Sequence, residues 1–96
     1  MTSPVRPVRD LLVIDGSPRL VVACDSVGGI GPRPADPVRV PAELVAHFAA
    51  RVPLLEVLCA GARPVALINT LCHDLADAAP FIDMFREVAA NVGIPP

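Results

Sequence analysis

Short hydrophobic runs separated by polar turns occupy the first quarter of the chain. Leu11 to Asp15 and Leu20 to Cys24 are two such runs, and residues 15–18 between them, Asp-Gly-Ser-Pro, are typical of a turn. This pattern predicts a β-hairpin. Residues 1–8 contain two prolines and no comparable run, so they predict a flexible N-terminal arm.

Helical spacing of apolar residues begins after a proline-rich loop over residues 26–40. A helix is expected to begin near Pro41, because proline suits a first helical turn, and to stop at Gly61. At 100° per residue its apolar side chains form a stripe about 80° wide, which predicts its core-facing side. That stripe consists of Leu44, Phe48, Val52, Leu55 and Cys59.

A third strand and a second helix complete the predicted fold. Residues 64–71 read PVALINTL, a short apolar run that predicts a strand. The second helix is expected over residues 79–92, with Pro80 in its first turn. Its apolar stripe consists of Phe81, Phe85, Val88 and Val92. The predicted class is α+β, with a small mixed β-sheet made of the hairpin and the third strand, and two helices on one face.

Composition limits the classes of function. Hydrophobic residues make up 53% of the 96 residues and charged residues 19%, so we expect an apolar face that a partner subunit or a further domain would cover. The net charge of −2, the absence of a basic cluster and only three aromatic residues argue against nucleic-acid binding. The longest apolar region is interrupted by prolines and charges and does not predict a membrane span.

The cysteines bear on the compartment. Cys24, Cys59 and Cys72 are odd in number, and each lies in an apolar run. Reduced, buried thiols in a cytoplasmic protein are therefore favoured over disulfides.

The segment Val21 to Gly31, VVACDSVGGIG, carries the first candidate chemistry. Asp25 lies at the tip of a strand, where a carboxylate can bind a cation. Gly28, Gly29 and Gly31 follow it and would let backbone N–H groups approach a phosphate closely. The alternative for Asp25 is an aspartate that begins a turn and accepts local N–H groups.

Glu56 is the second candidate, because it is the only charge in the apolar second half of the first helix. A carboxylate withdrawn from water must be paired or neutralised. It is either a structural ion pair with Arg51 or Arg63, or a metal ligand. Together with Asp25 and the amide of Asn69, it would provide the oxygen ligands that Mg²⁺ prefers.

These segments resemble a known family. The chain resembles the N-terminal domain of the aminoimidazole ribonucleotide (AIR) synthetase, or PurM-like, superfamily. The resemblance is carried by three segments in the same order: ACDSVGGIG, then RVPLLEVLCAGARP, then NTLCHD. Residues 24–28 resemble a Thr-Asp-Gly-Val-Gly segment whose aspartate binds Mg²⁺ in that family. Glu56 stands five residues before a glycine, where many members carry an aspartate. The combination is most similar to the α-ribazole kinase-like, AIR synthase-related branch.

The resemblance implies ATP-dependent phosphoryl transfer to a small-molecule acceptor. Asp25 and Glu56 would hold Mg²⁺ with help from Asn69, while the glycines of residues 28–31 and Arg33 would lie against the phosphates of ATP. Family members bind ATP at an interface between N-terminal domains of a dimer, and their chains continue into a second domain.

Residues 9–96 are therefore expected to be an incomplete PurM-like ATP-binding domain. It would be inactive alone and would need a homodimer partner or a C-terminal domain. The alternatives are a non-catalytic remnant that dimerises through its exposed sheet, and a regulatory nucleotide-binding module.

Overall fold

Five short strands and two long helices make up residues 3–95, which a computed structural model describes; for Leu75 it describes the backbone alone. The elements, in chain order, are β1 (Val5–Val8), β2 (Leu11–Ile14), β3 (Leu20–Ala23), β4 (Ile30–Gly31), β5 (Val38–Arg39), α1 (Ala42–Cys59) and α2 (Leu75–Asn91). The α+β class is confirmed.

The main sheet is antiparallel and has the strand order β1-β2-β3. The predicted hairpin is confirmed, with Val13 opposite Val21. The prediction of a flexible arm is wrong for residues 5–8, which form the edge strand β1; residues 1 and 2 lie outside the described part. Pro7 is compatible with this strand because an edge strand does not need every N–H group for a ladder.

The expected mixed sheet with a strand at residues 64–71 is not formed. That segment pairs with no strand within residues 3–95, and Ile68 is 90% exposed. The parallel pairing that does occur joins β4 to β5 in a separate two-stranded sheet. An apolar run becomes a strand only where another strand supplies a ladder, and among the described residues neither edge of the β1-β2-β3 sheet pairs with this segment.

The first helix agrees with its predicted bounds and the second begins earlier than predicted. After α1 the chain turns at Gly61, whose φ of +79° suits glycine. Helix α2 begins at Leu75, directly after Asp74, a residue type that favours the N-cap position. Pro80 consequently lies inside α2 rather than at its beginning.

The core lies between the two helices, and α2 packs mainly on α1 rather than on the sheet. The predicted stripe of α2 is confirmed, with Phe81, Phe85 and Val88 buried. The predicted core face of α1 is wrong, because its large residues are exposed. The residues of α1 that are buried are Ala42, Ala46, Ala50 and Leu54. Small side chains allow two helix axes to approach closely, and this is the face that α2 covers.

Three further observations complete the fold. All three cysteines are free and exposed, so the expectation of buried thiols is wrong.

Over residues 3–95, neither helix is both long and apolar enough to cross a membrane. The radius of gyration is 15.2 Å, against about 12.5 Å for a compact domain of this length, so the molecule is elongated.

Candidate functional site

The glycine-containing loop is closed by the short β4–β5 pairing and by one carboxylate. The N–H groups of Val38 and Val40 donate to the carbonyls of Gly29 and Gly31. Asp36 Oδ2 accepts the Arg33 N–H at 3.0 Å, and a Cβ added at Gly31 would lie only 2.7 Å from that oxygen. A side chain at position 31 would therefore displace the Asp36 carboxylate from its hydrogen bond with the Arg33 N–H, a role of Gly31 that the sequence did not reveal.

Arg33 links this loop to the segment before α2. Its guanidinium Nη1 donates to the carbonyl of Cys72 at 3.3 Å, although 39 residues separate the two along the chain. The two segments enclose an open cavity of about 290 Å³. Its lining consists of Arg33, Leu71, Cys72, His73, Asp74 and Asp77.

The charges around this cavity are mixed. Asp74 precedes α2 and Asp77 lies in its first turn, where the free N–H groups of the helix give a positive partial charge. The Arg33 guanidinium lines the same cavity and forms no ion pair with either carboxylate within residues 3–95. His73 stacks on Phe81 with ring centroids 4.4 Å apart, and its buried Nδ1 has no hydrogen-bond partner among the described residues. The cavity thus presents groups for both an anion and a cation.

Of the residues predicted from the sequence, only Arg33 lines this cavity. The predicted metal ligands and phosphate-binding glycines lie outside it: Asp25, Glu56, Asn69, Gly28, Gly29 and Gly31. Asp25 is exposed, and its Oδ1 accepts the N–H of Ser26 at 2.8 Å, as the turn interpretation expects. Asn69 is exposed on the irregular segment before α2. Strand β3, which leads into Asp25, packs against α1, the helix that carries Glu56.

Glu56 is half-buried, and its Oε2 is shielded from solvent without a hydrogen-bond partner in the described part of the chain. The ion pairs found over residues 3–95 join Asp15 to Arg6 and Arg19, so the alternative pairing of Glu56 with Arg51 or Arg63 is not formed there. A shielded carboxylate oxygen without a donor fits a ligand for a cation.

The described residues do not form a metal site made of protein ligands alone. Among the residues that the structure describes, no three His, Cys, Asp or Glu side chains lie close enough together to hold a metal ion. Mg²⁺ does not need such a cage, since it commonly uses one or two carboxylates and completes its shell with water and substrate phosphates.

Sequence reasoning missed three polar residues of the cavity: His73, Asp74 and Asp77. The available signal was an aspartate at the N-cap position and a second one three residues later, which marks the start of α2. The contact between Arg33 and Cys72 had no local signal, because it depends on how two distant loops meet.

Comparison with protein-family models, with curated proteins and with solved structures gives no match to this chain. The interpretation of the cavity is therefore based on its residues and their geometry.

Proposed function

We propose that this chain is an ATP- and Mg²⁺-binding domain of an AIR synthase-related kinase, similar to the N-terminal domain of α-ribazole kinase-like enzymes. One observation carries the proposal: the Arg33 guanidinium, which extends from the glycine-containing loop, lines a cavity together with Asp74 and Asp77. The proposed ligand is the magnesium complex of ATP, which presents negative phosphate oxygens and a divalent cation side by side.

Each lining group has a role in this proposal. Arg33 would pair with a phosphate oxygen through a charge-assisted hydrogen bond. The free N–H groups at the start of α2 would add donors for the same anion. Asp74 and Asp77 would contact the Mg²⁺ ion, directly or through its water shell.

The size of the cavity limits which part of ATP it holds. Pockets that enclose a whole small molecule measure roughly 300–1,000 Å³, whereas this one measures about 290 Å³ and is open to solvent. It therefore suits the polyphosphate and its metal ion, and the adenosine would lie outside it.

Glu56 and Asp25, with Asn69, remain proposed ligands of a metal ion on the sheet side of α1. The support is the shielded, unpartnered Oε2 of Glu56 and the packing of β3 on α1. Bound Mg²⁺ would neutralise negative charge that builds up on phosphate oxygens during phosphoryl transfer. The acceptor is proposed to be a small molecule, for which a partner chain or a further domain would complete the site.

A non-catalytic dimerisation remnant is the second candidate, and the sheet favours it. One sheet face is apolar and open to solvent, because the pairing register places Val5, Leu12, Leu20 and Val22 together on it, and all four are exposed. Such a face is a common feature of interaction surfaces.

Titration calorimetry with MgATP tests the proposal. We expect saturable binding, and we expect Arg33→Gln to weaken it about tenfold to a hundredfold through loss of a hydrogen bond to a charged group. Arg86→Gln, an exposed arginine of α2 outside the cavity, is the matched control and should leave the affinity unchanged. Absence of heat at millimolar MgATP would instead favour the dimerisation remnant.

The metal ligands are tested by repeating the titration over a range of Mg²⁺ concentrations. Asp77→Asn and Glu56→Gln should each raise the Mg²⁺ concentration needed for half-maximal binding by about tenfold, equivalent to roughly 1.4 kcal/mol. Glu43→Gln, an exposed acid on α1, is the control. If only one of the two variants shifts the Mg²⁺ requirement, that result identifies which of the two proposed metal positions is occupied when ATP binds. ATP binding without phosphate transfer to any ribosyl acceptor would favour the regulatory module.

A further inference from the structure

The imidazole of His73 has one shielded nitrogen and one open nitrogen. The ring stacks on Phe81, with ring centroids 4.4 Å apart and ring planes inclined by 34°. Phe81 is 3% exposed and belongs to the interhelical core, so the core fixes the position of the histidine ring. Nδ1 is shielded from solvent and has no hydrogen-bond partner among the described residues. Nε2 also forms no hydrogen bond over residues 3–95, but it stays accessible, and His73 lines the cavity that Arg33 lines.

The shielding of Nδ1 determines which tautomer of the neutral ring is favoured. A neutral imidazole has one N–H donor and one bare nitrogen, which is an acceptor. Buried N–H groups without an acceptor are rarer in proteins than buried acceptors that are not fully satisfied. The bare nitrogen is therefore assigned to the shielded Nδ1 position, and the hydrogen to Nε2. In this tautomer the accessible side of the ring is a hydrogen-bond donor.

Arg33 provides further donors next to this ring. Its Nη1 donates to the carbonyl of Cys72, the residue directly before His73, at 3.3 Å. A guanidinium has several N–H groups, so this contact holds the side chain in place and leaves other donors for a ligand. Donors from two side chains suit a phosphate group, which has several acceptor oxygens. The carboxylates of Asp74 and Asp77 line the same cavity and would repel a bare anion, so the phosphate is expected together with Mg²⁺.

We propose that His73, through its Nε2–H group, donates a hydrogen bond to the phosphate that Arg33 binds in this cavity. The inference rests on the proposed function, because it assigns a specificity-determining residue to the same phosphate site. The ligand chemistry is a magnesium-bound polyphosphate, which either ATP or inorganic pyrophosphate supplies. Since the adenosine would lie outside the cavity, both ligands should depend on His73 to a similar degree.

Titration calorimetry with MgATP and with magnesium pyrophosphate tests this role. His73→Phe keeps an aromatic ring against Phe81 but removes both ring nitrogens, so we expect it to weaken both ligands about tenfold or more. His73→Gln places an amide N–H as many bonds from Cα as Nε2 and should retain most of the affinity. His73→Asn, the matched control, places its amide N–H as many bonds from Cα as Nδ1 and should bind as weakly as His73→Phe. Circular dichroism verifies the helix content of each variant, and the Gln and Asn variants give the comparison if His73→Phe does not fold.

The outcomes separate this inference from the proposed function. If His73→Phe binds both ligands like the wild-type chain while Arg33→Gln weakens MgATP, the role of His73 is overturned and the proposed function stands. If pyrophosphate binds in a His73-dependent way and MgATP does not bind, the phosphate site stands and the nucleotide function is overturned. Absence of binding by either ligand overturns both.

Nitrogen-15 NMR of the ligand-free chain tests the tautomer independently of any ligand. At about pH 8, where an ordinary imidazole is neutral, we expect His73 to carry its hydrogen on Nε2. A hydrogen on Nδ1 would overturn the assignment, and with it the donor that the proposal requires.

Discussion

The helical half and the sheet half of this chain use hydrophobic residues in opposite ways. Between α1 and α2, small residues of one helix receive the aromatic rings of the other, and nearly all of the buried side chains lie there. In the three-stranded sheet Val13 is the one buried side chain over the described residues, and large aliphatic residues face solvent. The chain is therefore stabilised mainly by its helical hairpin, whereas its sheet and the outer side of α1 present surfaces for contact.

Truncating Phe81 and Phe48 to alanine tests this comparison most strongly. The same atoms are removed in both variants, from a covered position at Phe81 and from an uncovered position at Phe48. Phe81 is 3% exposed in the interhelical core. We expect Phe81→Ala to lower the free energy of unfolding by about 3–5 kcal/mol. Phe48→Ala should lower it by less than about 1 kcal/mol at chain concentrations low enough for the monomer.

Urea denaturation followed by circular dichroism gives both values under one set of conditions. Equal losses for the two variants would mean that Phe48 is as covered as Phe81 within a single chain. The distinction between the two sides of α1 would then fail.

The small face of α1 is tested by enlarging one alanine. Ala46 is fully buried, so Ala46→Leu forces additional methylene groups between α1 and α2. We expect this change to lower the free energy of unfolding by about 1–3 kcal/mol. Ala76→Leu, at an exposed position of α2, is the control and should have little effect. A well-tolerated Ala46→Leu would show that the two helices do not meet on this face.

The smallest expected effect lies in the sheet and depends on pH. The side-chain hydrogen bond from Arg6 lowers the pKa of Asp15 below its ordinary value of 3.8. Desolvation opposes this shift, and the charges of Arg6 and Arg19 add to it. The pairs are exposed, with N–O distances of 3.1 Å. A carboxyl group with a lowered pKa in the folded chain stabilises it above the unfolded pKa, and that contribution is lost as the pH falls through the folded pKa.

Asp15→Asn should therefore flatten the pH dependence of the melting temperature below about pH 4. At neutral pH it should change the melting temperature only slightly. Asp83→Asn, an exposed aspartate of α2 outside these pairs, serves as the control. If Asp15→Asn does not change how the melting temperature falls at acid pH, the ion pairs of Asp15 with Arg6 and Arg19 do not contribute to the stability of the folded chain.

The sequence predicted the elements with local signals well. The α+β class, the β2–β3 hairpin and the bounds of α1 follow from turn residues, an initial proline and a final glycine. Residues 5–8 were missed because Pro7 argues against a central strand, and the sequence does not show that the strand lies at an edge.

Other errors have a common cause, which is that a pattern of apolar residues does not identify the surface that covers it. The large residues of α1 predict one face, yet the contact with α2 uses the opposite face, whose sequence signal is the spacing of four residues between Ala42, Ala46 and Ala50. Residues 64–71 have the composition of a strand, but pairing is not encoded locally. Of the candidate site, Arg33 was identified from the sequence, whereas its contact with Cys72 and the acids at the start of α2 depend on tertiary structure.

The most direct test of the two-sided α1 is hydroxyl-radical footprinting of the wild-type chain at a concentration at which sedimentation shows it to be monomeric. Phe81 should be protected, because it is covered within one chain. Phe48 should be oxidised readily, because half of its surface is exposed. Protection of Phe48 to the same degree as Phe81 in the monomeric chain would contradict the account.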